Sequence, residues 1–260
     1  MSNIHPSVGE GRTYEEMLKF WDDYSDQYSA MQQGDIPKRV VDSLFEKGYL
    51  ESSNCVMEIG SGPGTYSMEL APRVRIIVCM DTSPRMLQRL KDSAEARGLT
   101  NIERYLKDWN TYEPAKGYDA CIATLCPGSG TPDSIARMEG TARNYCILVS
   151  WVRNHGDDLN ADIWKYLGKD YGYDFRGSTQ VEDWLKDNGR DPQVEFFDTA
   201  IDEDILLEKL VAKETSAFAA YGVRIDMESA IRDILGDQLD GDILHYHAVN
   251  RMKMIVWKSR

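Results

Sequence analysis

A chain of 260 residues with 42% apolar content is long enough for one decorated α/β domain with a real core. Its net charge of −13 disfavours a phosphate-backbone partner, because the densest basic stretch, Arg73 to Arg75, is two charges around a valine. No apolar run approaches the roughly 18 residues of a membrane span, and Met1 to Arg12 is polar, so the expected compartment is the cytoplasm.

Thr13-Tyr-Glu-Glu16 is a capping box, and Met17, Phe20, Trp21, Tyr24 and Tyr28 follow at helical spacing. That aromatic face predicts a helix either docked on the core or drawn over a ligand. Pro37 to Lys47 is a second predicted helix, with Val40, Val41, Leu44 and Phe45 inward and Gly48 as its stop. Cys55 to Ile59 reads as a buried parallel strand, apolar except for Glu58. Gly60, Gly62 and Gly64 follow directly, as a tight turn and close ligand approach require. Ile76 to Met80 is a second apolar strand ending in Asp81, about 20 residues beyond the turn, where a ribose hydroxyl needs an acceptor.

This strand–turn–helix–strand unit predicts a nucleoside site. Its spacing is Gly-x-Gly-x-Gly, with Tyr66 where a dinucleotide turn carries its third glycine, and no Lys or Arg lies between Cys55 and Pro72. A pyrophosphate finds no counter-charge there, whereas a ligand carrying an ammonium and a sulfonium finds Glu58. The residues Glu58-Ile-Gly-Ser-Gly-Pro-Gly-Thr65 resemble the signature of the class I S-adenosylmethionine (SAM)-dependent methyltransferases. The resemblance implies a SAM site made of Glu58, Gly60, Ser61, Gly62, Gly64, Asp81, Thr82, Met86, Asp108, Trp109, Thr124 and Leu125. In it, Gly60 and Gly62 would line the methionine moiety and Glu58 would act on the ammonium or through the loop. Asp81 would hold the ribose, Met86 would lie against the adenine, Asp108-Trp109 would read its edge, and Thr124 and Leu125 would lie under the sulfonium. Met86 also fits a plain helix stripe, and Asp108 a plain loop acid.

Ser83 caps the next helix with Pro84 at its first position, Met86, Leu87, Leu90 and Ala94 as its stripe and Gly98 as its end. Predicted strands Ile102 to Leu106, Tyr118 to Thr124 and Tyr145 to Trp151, with a helix over Pro132 to Ala142, continue a doubly wound, mostly parallel sheet. Four cysteines, Cys55, Cys79, Cys121 and Cys146, sit in these strands as buried thiols, and no Cys-x-x-Cys suggests a metal. Residues 153–190 break the rhythm with Gly, Asp and aromatics, and a short helix opens at Thr179. Val194 to Phe197, helices over Ile205 to Ala219 and Asp226 to Leu235, and a long strand Leu244 to Trp257 complete the chain. The resemblance implies that the last strand is antiparallel, between strands five and six.

The expected fold is therefore a seven-stranded Rossmann-like α/β domain: 1–50 an N-terminal helical cap, 51–152 the SAM-binding core, 153–190 a substrate-capping insertion, and 191–260 C-terminal strands and helices. His155, beyond the fifth strand and beside Asp157 and Asp158, is the candidate general base. Tyr24 is a second catalytic candidate, and Tyr28, Cys126 and Trp151 are candidates to touch the acceptor. Cys126-Pro127-Gly128 departs from the Asn/Asp-Pro-Pro-Tyr motif of the family's nucleic-acid amino methylators, which disfavours such a substrate. The expected activity is methyl transfer from SAM to a small molecule, giving S-adenosylhomocysteine (SAH). The alternatives are an acceptor on protein or RNA, or a SAM-binding protein without catalysis. A homodimer is one option for its assembly.

Overall fold

The computed structural model describes residues 14–25, 33–155, 159–169, 177–220 and 222–260. Helices α1 (Tyr14–Tyr24) and α2 (Ile36–Glu46) precede the first strand. The core then runs β1 (Cys55–Ile59), α3 (Ser67–Leu70), β2 (Ile76–Asp81), α4 (Pro84–Ala96), β3 (Ile102–Leu106), β4 (Tyr118–Thr124), α5 (Pro132–Thr141) and β5 (Ala142–His155). After it come α6 (Leu159–Tyr166), α7 (Gly177–Asp187), β6 (Gln193–Leu206), α8 (Leu207–Ala220), α9 (Met227–Leu235), β7 (Leu239–Asp240) and β8 (Ile243–Lys258).

The main sheet has the order β3-β2-β1-β4-β5-β8-β6, with the two-residue β7 pairing only β8. Strands β1 to β5 are parallel, and β8 runs antiparallel between β5 and β6. This is the doubly wound Rossmann-like sheet expected from the sequence. On one face Val40, Leu44, Tyr66, Leu70 and Leu90 pack on Val56, Ile77, Ile122, Val149 and Met254. On the other, Ile135, Met138, Val181 and Leu185 pack on Met57, Ile59, Cys121, Leu148 and Ile255. Both faces of the central strands are thus covered, which is why they read as continuous apolar runs.

Three elements differ from expectation. The helix after the glycine turn is only four residues long and passes into a 3-10 turn, Ala71–Arg73, because Pro72 cannot donate to a continuing α-helical ladder. The stretch 153–190 splits in two: α7 packs on β5 in the main core through Val181 and Leu185, while α6 belongs elsewhere. Strand β6 does not stop at Phe197 but continues to Leu206, paired throughout with β8.

That last difference builds a second storey. His155, the tip of β5, pairs with Val249, so residues 243–248 of β8 and 201–206 of β6 rise beyond the carboxyl edge of the parallel sheet. This ribbon carries α8 and α9, and α6 joins them. Ile163, Trp164, Leu207, Leu210, Phe218, Ile231 and Leu244 form a separate small core there. The lobe stands on the side of the sheet where ligands of such folds bind. Among the described residues no helix is long and apolar enough to cross a membrane.

Candidate active site

Gly60, Gly62 and Gly64 all adopt positive φ (60°, 54° and 93°), which only glycine takes without strain. A Cβ on Gly60 would lie 2.5 Å from Cys126 Sγ, so the turn after β1 and the loop after β4 touch backbone to side chain. The turn is fastened from below: Ser61 N–H donates to Met80 O at 3.0 Å and Gly64 N–H to Ser61 O at 3.0 Å.

Asp81 is the central fastening. Its Oδ2 accepts from Gly62 N–H at 2.8 Å, and its Oδ1 from Ser83 N–H at 2.9 Å. Burial pushes its carboxyl up from the ordinary range, and the backbone N–H donors of Ser83, Gly62 and Thr82 pull it back. The side chain expected to grip a ribose therefore also joins the glycine turn to the start of α4.

Glu58 is fully buried beneath the turn. Its Oε1 accepts from Thr124 Oγ1 at 3.0 Å, and its Oε2 from Ser67 Oγ. Burial raises its pKa to about 7, against the lowering effect of the two hydroxyls. Both of its oxygens are thus engaged by protein, and the side chain has no exposed surface. Thr124 thereby joins β4 to β1. Leu125, next in the chain, has φ +51°, the one non-glycine residue at positive φ among the described residues. Such a backbone costs on the order of 1 kcal/mol and clusters at functional sites.

Cys126 is partly buried, and burial together with the charges of Asp81, Glu58 and Asp108 pushes its thiol up to about 12. It stays protonated at neutral pH and serves as a wall for the turn, not as a nucleophile. The same set of carboxylates, with no cation between Cys55 and Pro72, suits a phosphate-free cationic ligand. Ser61 Oγ is buried in the turn with no hydrogen-bond partner among the described residues, so the cradle offers a ligand an unused polar atom.

Two sequence-predicted cofactor residues are absorbed by the core. Met86 is 2% exposed and shares the buried face of α4 with Leu87, Leu90 and Ala94. Trp109 is 7% exposed, donates its indole N–H to Ser134 Oγ at 2.8 Å and stacks on Tyr112. A ligand at Trp109 would meet its backbone, not its ring. Asp108 spends Oδ1 on Asn110 N–H at 2.8 Å, capping the 3-10 turn that follows. Trp109→Phe is expected to cost about 1 kcal/mol by leaving Ser134 Oγ unpaired, a drop of a few degrees in Tm, without weakening SAM binding. Calorimetric melting and titration of the variant check both.

The acceptor candidates are less gathered. Trp151 is partly buried on β5 against the core, one strand over from Met252. His155 ends β5 at the foot of the upper lobe and Tyr24 ends α1, but their side chains, like all of Tyr28, Asp157 and Asp158, lie outside the described residues. Thr82 sits between Asp81 and Ser83 at the site. His245 and His247 are exposed on the ribbon and pair with Asp204 (2.6 Å) and Asp202 (2.5 Å). Sequence reasoning missed Asp22, whose carboxylate reaches Ser83 from α1; its only sequence signal was a place on the helix preceding the nucleoside unit.

The sheet order and the glycine turn give this chain a Rossmann-like fold. The family described as methyltransferase domain matches residues 56–143, from β1 to the start of β5. A 2-heptyl-1-hydroxyquinolin-4(1H)-one methyltransferase of Mycobacteroides abscessus is 27% identical over 124 residues, 44% of this chain and 52% of that protein. A protein-L-isoaspartate O-methyltransferase of Picosynechococcus sp. is 29% identical over 92 residues, 34% of this chain and 40% of that one. The crystal structure of a proposed methyltransferase from Bacillus halodurans C-125 superposes with TM-score 0.55 at 14% identity, covering 84% of this chain and 98% of the other. The chain thus spans about half the length of the curated relatives it matches.

Proposed function

We propose that this chain is a methyltransferase that passes the methyl group of SAM to a small molecule, releasing SAH. The observation that carries the reading is Asp81: an acid at the tip of β2, holding the glycine turn through Gly62 N–H, with no Lys or Arg in the stretch from Cys55 to Pro72. Bound there, SAM supplies a methyl made electrophilic by its sulfonium. The chain's own task is to hold donor and acceptor in contact and in line, which can supply several kcal/mol of the barrier. Asp81 would take the ribose, Gly60, Ser61 and Gly62 the methionine end, and Asp108 with the backbone of Trp109 the adenine edge. Thr124 and Leu125 would form the floor near the reacting centre, and Cys126 and Trp151 would face the acceptor. Should the acceptor have to lose a proton, His155 and Tyr24 are the candidates for that role.

A small acceptor is favoured by the upper lobe, since α8 and α9 stand over the carboxyl edge where an open platform would otherwise receive a macromolecule. The net charge of −13 agrees, as RNA is held by clustered cations. The matched family region stops at residue 143, so Trp151, His155 and the upper lobe lie beyond it. Titration calorimetry should give micromolar binding of SAM and SAH and none of NAD. Incubation with methyl-labelled SAM and fractionated cell extract should put label into the low-mass fraction. Label confined to protein or RNA would replace the small-molecule reading with a macromolecular one, and binding without any transfer would leave a SAM-binding protein.

A further inference from the structure

One side chain outside the nucleoside unit is joined to it by a continuous run of hydrogen bonds. Asp22 lies on α1, and its Oδ1 accepts from Ser83 Oγ at 2.6 Å and from Arg85 N–H at 3.1 Å. The Ser83 hydroxyl in turn accepts from Met86 N–H at 3.0 Å, and Ser83 N–H donates to Asp81. Asp81 holds Gly62 N–H. By taking the one hydroxyl proton of Ser83, Asp22 leaves that oxygen's lone pairs free to cap α4, so the two bonds reinforce each other. The carboxylate also sits at the positive end of a 13-residue helix. The rest of α1 packs against both α4 and α8, so the helix bridges the nucleoside unit and the upper lobe.

We propose that Asp22 is a positioning residue that couples occupancy of the ribose-binding acid to docking of α1, and through α1 to the lobe over the acceptor. The proposal rests on the SAM reading of the turn. Its sign follows from charge. Asp22 and Asp81 repel each other, and the charge of Asp22 helps raise the Asp81 carboxyl. A ligand hydroxyl donating to Asp81 spreads that negative charge and relieves the repulsion, so a bound nucleoside should fasten α1 more firmly. Coupling between two equilibria is reciprocal, so a docked α1 should also favour the ligand. Asp22→Ala removes the fastening and the repulsion together. Their effects on ligand affinity oppose each other, whereas their effect on α1 does not cancel.

The test is amide hydrogen exchange of residues 14–25, with and without saturating SAH, in wild type, Asp22→Ala and Asp22→Asn, alongside SAH affinity. In wild type, SAH should slow exchange across α1 by roughly tenfold or more, as a closed unit opens less often. In Asp22→Ala, SAH should still bind within roughly tenfold of wild type, but α1 exchange should no longer respond. Asn keeps an acceptor for Ser83 Oγ and Arg85 N–H but carries no charge, so Asp22→Asn should keep α1 docked while SAH slows its exchange much less than in wild type; a full wild-type response there overturns the charge coupling. If Asp22→Ala does not fold, Asp22→Asn, which keeps both hydrogen bonds and loses only the charge, carries the test in its place. Wild type that binds SAH without a response in α1, or an alanine variant that still responds, overturns the coupling alone. Complete loss of SAH binding in a folded Asp22→Ala also overturns it, in favour of direct contact with the ligand. Failure of wild type to bind SAH at all refutes the cofactor reading beneath it.

Discussion

Asp81→Ala should weaken SAM binding by about 2–4 kcal/mol, roughly 30- to 1,000-fold in Kd. Part of the loss is the hydrogen bond from a ribose hydroxyl to a carboxylate, typically about 1.5–3 kcal/mol. The remainder is structural. Alanine frees Gly62 N–H and Ser83 N–H together, so the turn that must present its backbone to the methionine end is no longer tied to β2. Asp81→Asn should fall between: one amide oxygen can serve one of these donors, but the amide nitrogen meets the other donor head-on. Asp108→Ala provides the contrast. Its Oδ1 caps a local 3-10 turn, so its removal should cost SAM binding less than loss of Asp81 does. Titration calorimetry on the three variants and wild type measures all of this. An Asp81→Ala affinity equal to wild type would remove the ribose from Asp81 and with it the argument for where the nucleoside lies.

The nucleoside unit was legible because each of its parts obeys a local rule. The apolar run of β1, the glycines forced to positive φ, the acid at the end of β2, and Ser83-Pro84 opening α4 all appear where read. The upper lobe was not legible, and the ribbon under it explains why. Past the tip of β5 the ladder of β6 and β8 has a solvent face, so Asp202 and Asp204 can sit on β6 opposite His247 and His245 of β8. Asp198, nearer the sheet, meets Arg251 in the same way. Read singly, such a run of acids looks like a loop; only the pairing of distant charges makes it a strand. Trp109 and Met86 show the converse. Both stand at positions the resemblance assigns to the adenine, and both side chains are buried in the core. Asp22 was all but invisible in the sequence, since an acid on an amphipathic helix is most often solvated, and its partner Ser83 lies 61 residues on.

The other large effect concerns pH. Glu58→Gln should make the protein more stable than wild type at pH 8 and no more stable at pH 5. Unfolded, Glu58 titrates near its ordinary value of 4.5; folded, burial lifts it to about 7. Between these values the native state holds a proton that the unfolded chain has released, so stability falls as pH rises, by about 1.4 kcal/mol per unit. The contribution is intact below about pH 4.5 and lost once pH passes the folded value, a total of about 3 kcal/mol. The glutamine of this variant mimics the protonated carboxyl in shape, offering one acceptor and one donor group, and the Ser67 and Thr124 hydroxyls can rotate to meet them. The part of the wild-type slope that Glu58 supplies should therefore vanish in the variant, as thermal melts from pH 5 to 8 would show. Ligand binding should move the other way. The sulfonium and ammonium of SAM favour an ionised Glu58, so wild-type affinity for SAM should climb as pH rises through 7, with proton uptake or release read from buffers of different ionisation enthalpy. SAH lacks the sulfonium charge and should climb less. In Glu58→Gln both profiles should lie flat. A variant less stable than wild type at pH 8, or a SAM profile that still climbs without the carboxyl, would mean that the charge under the turn is not the group that senses the cofactor.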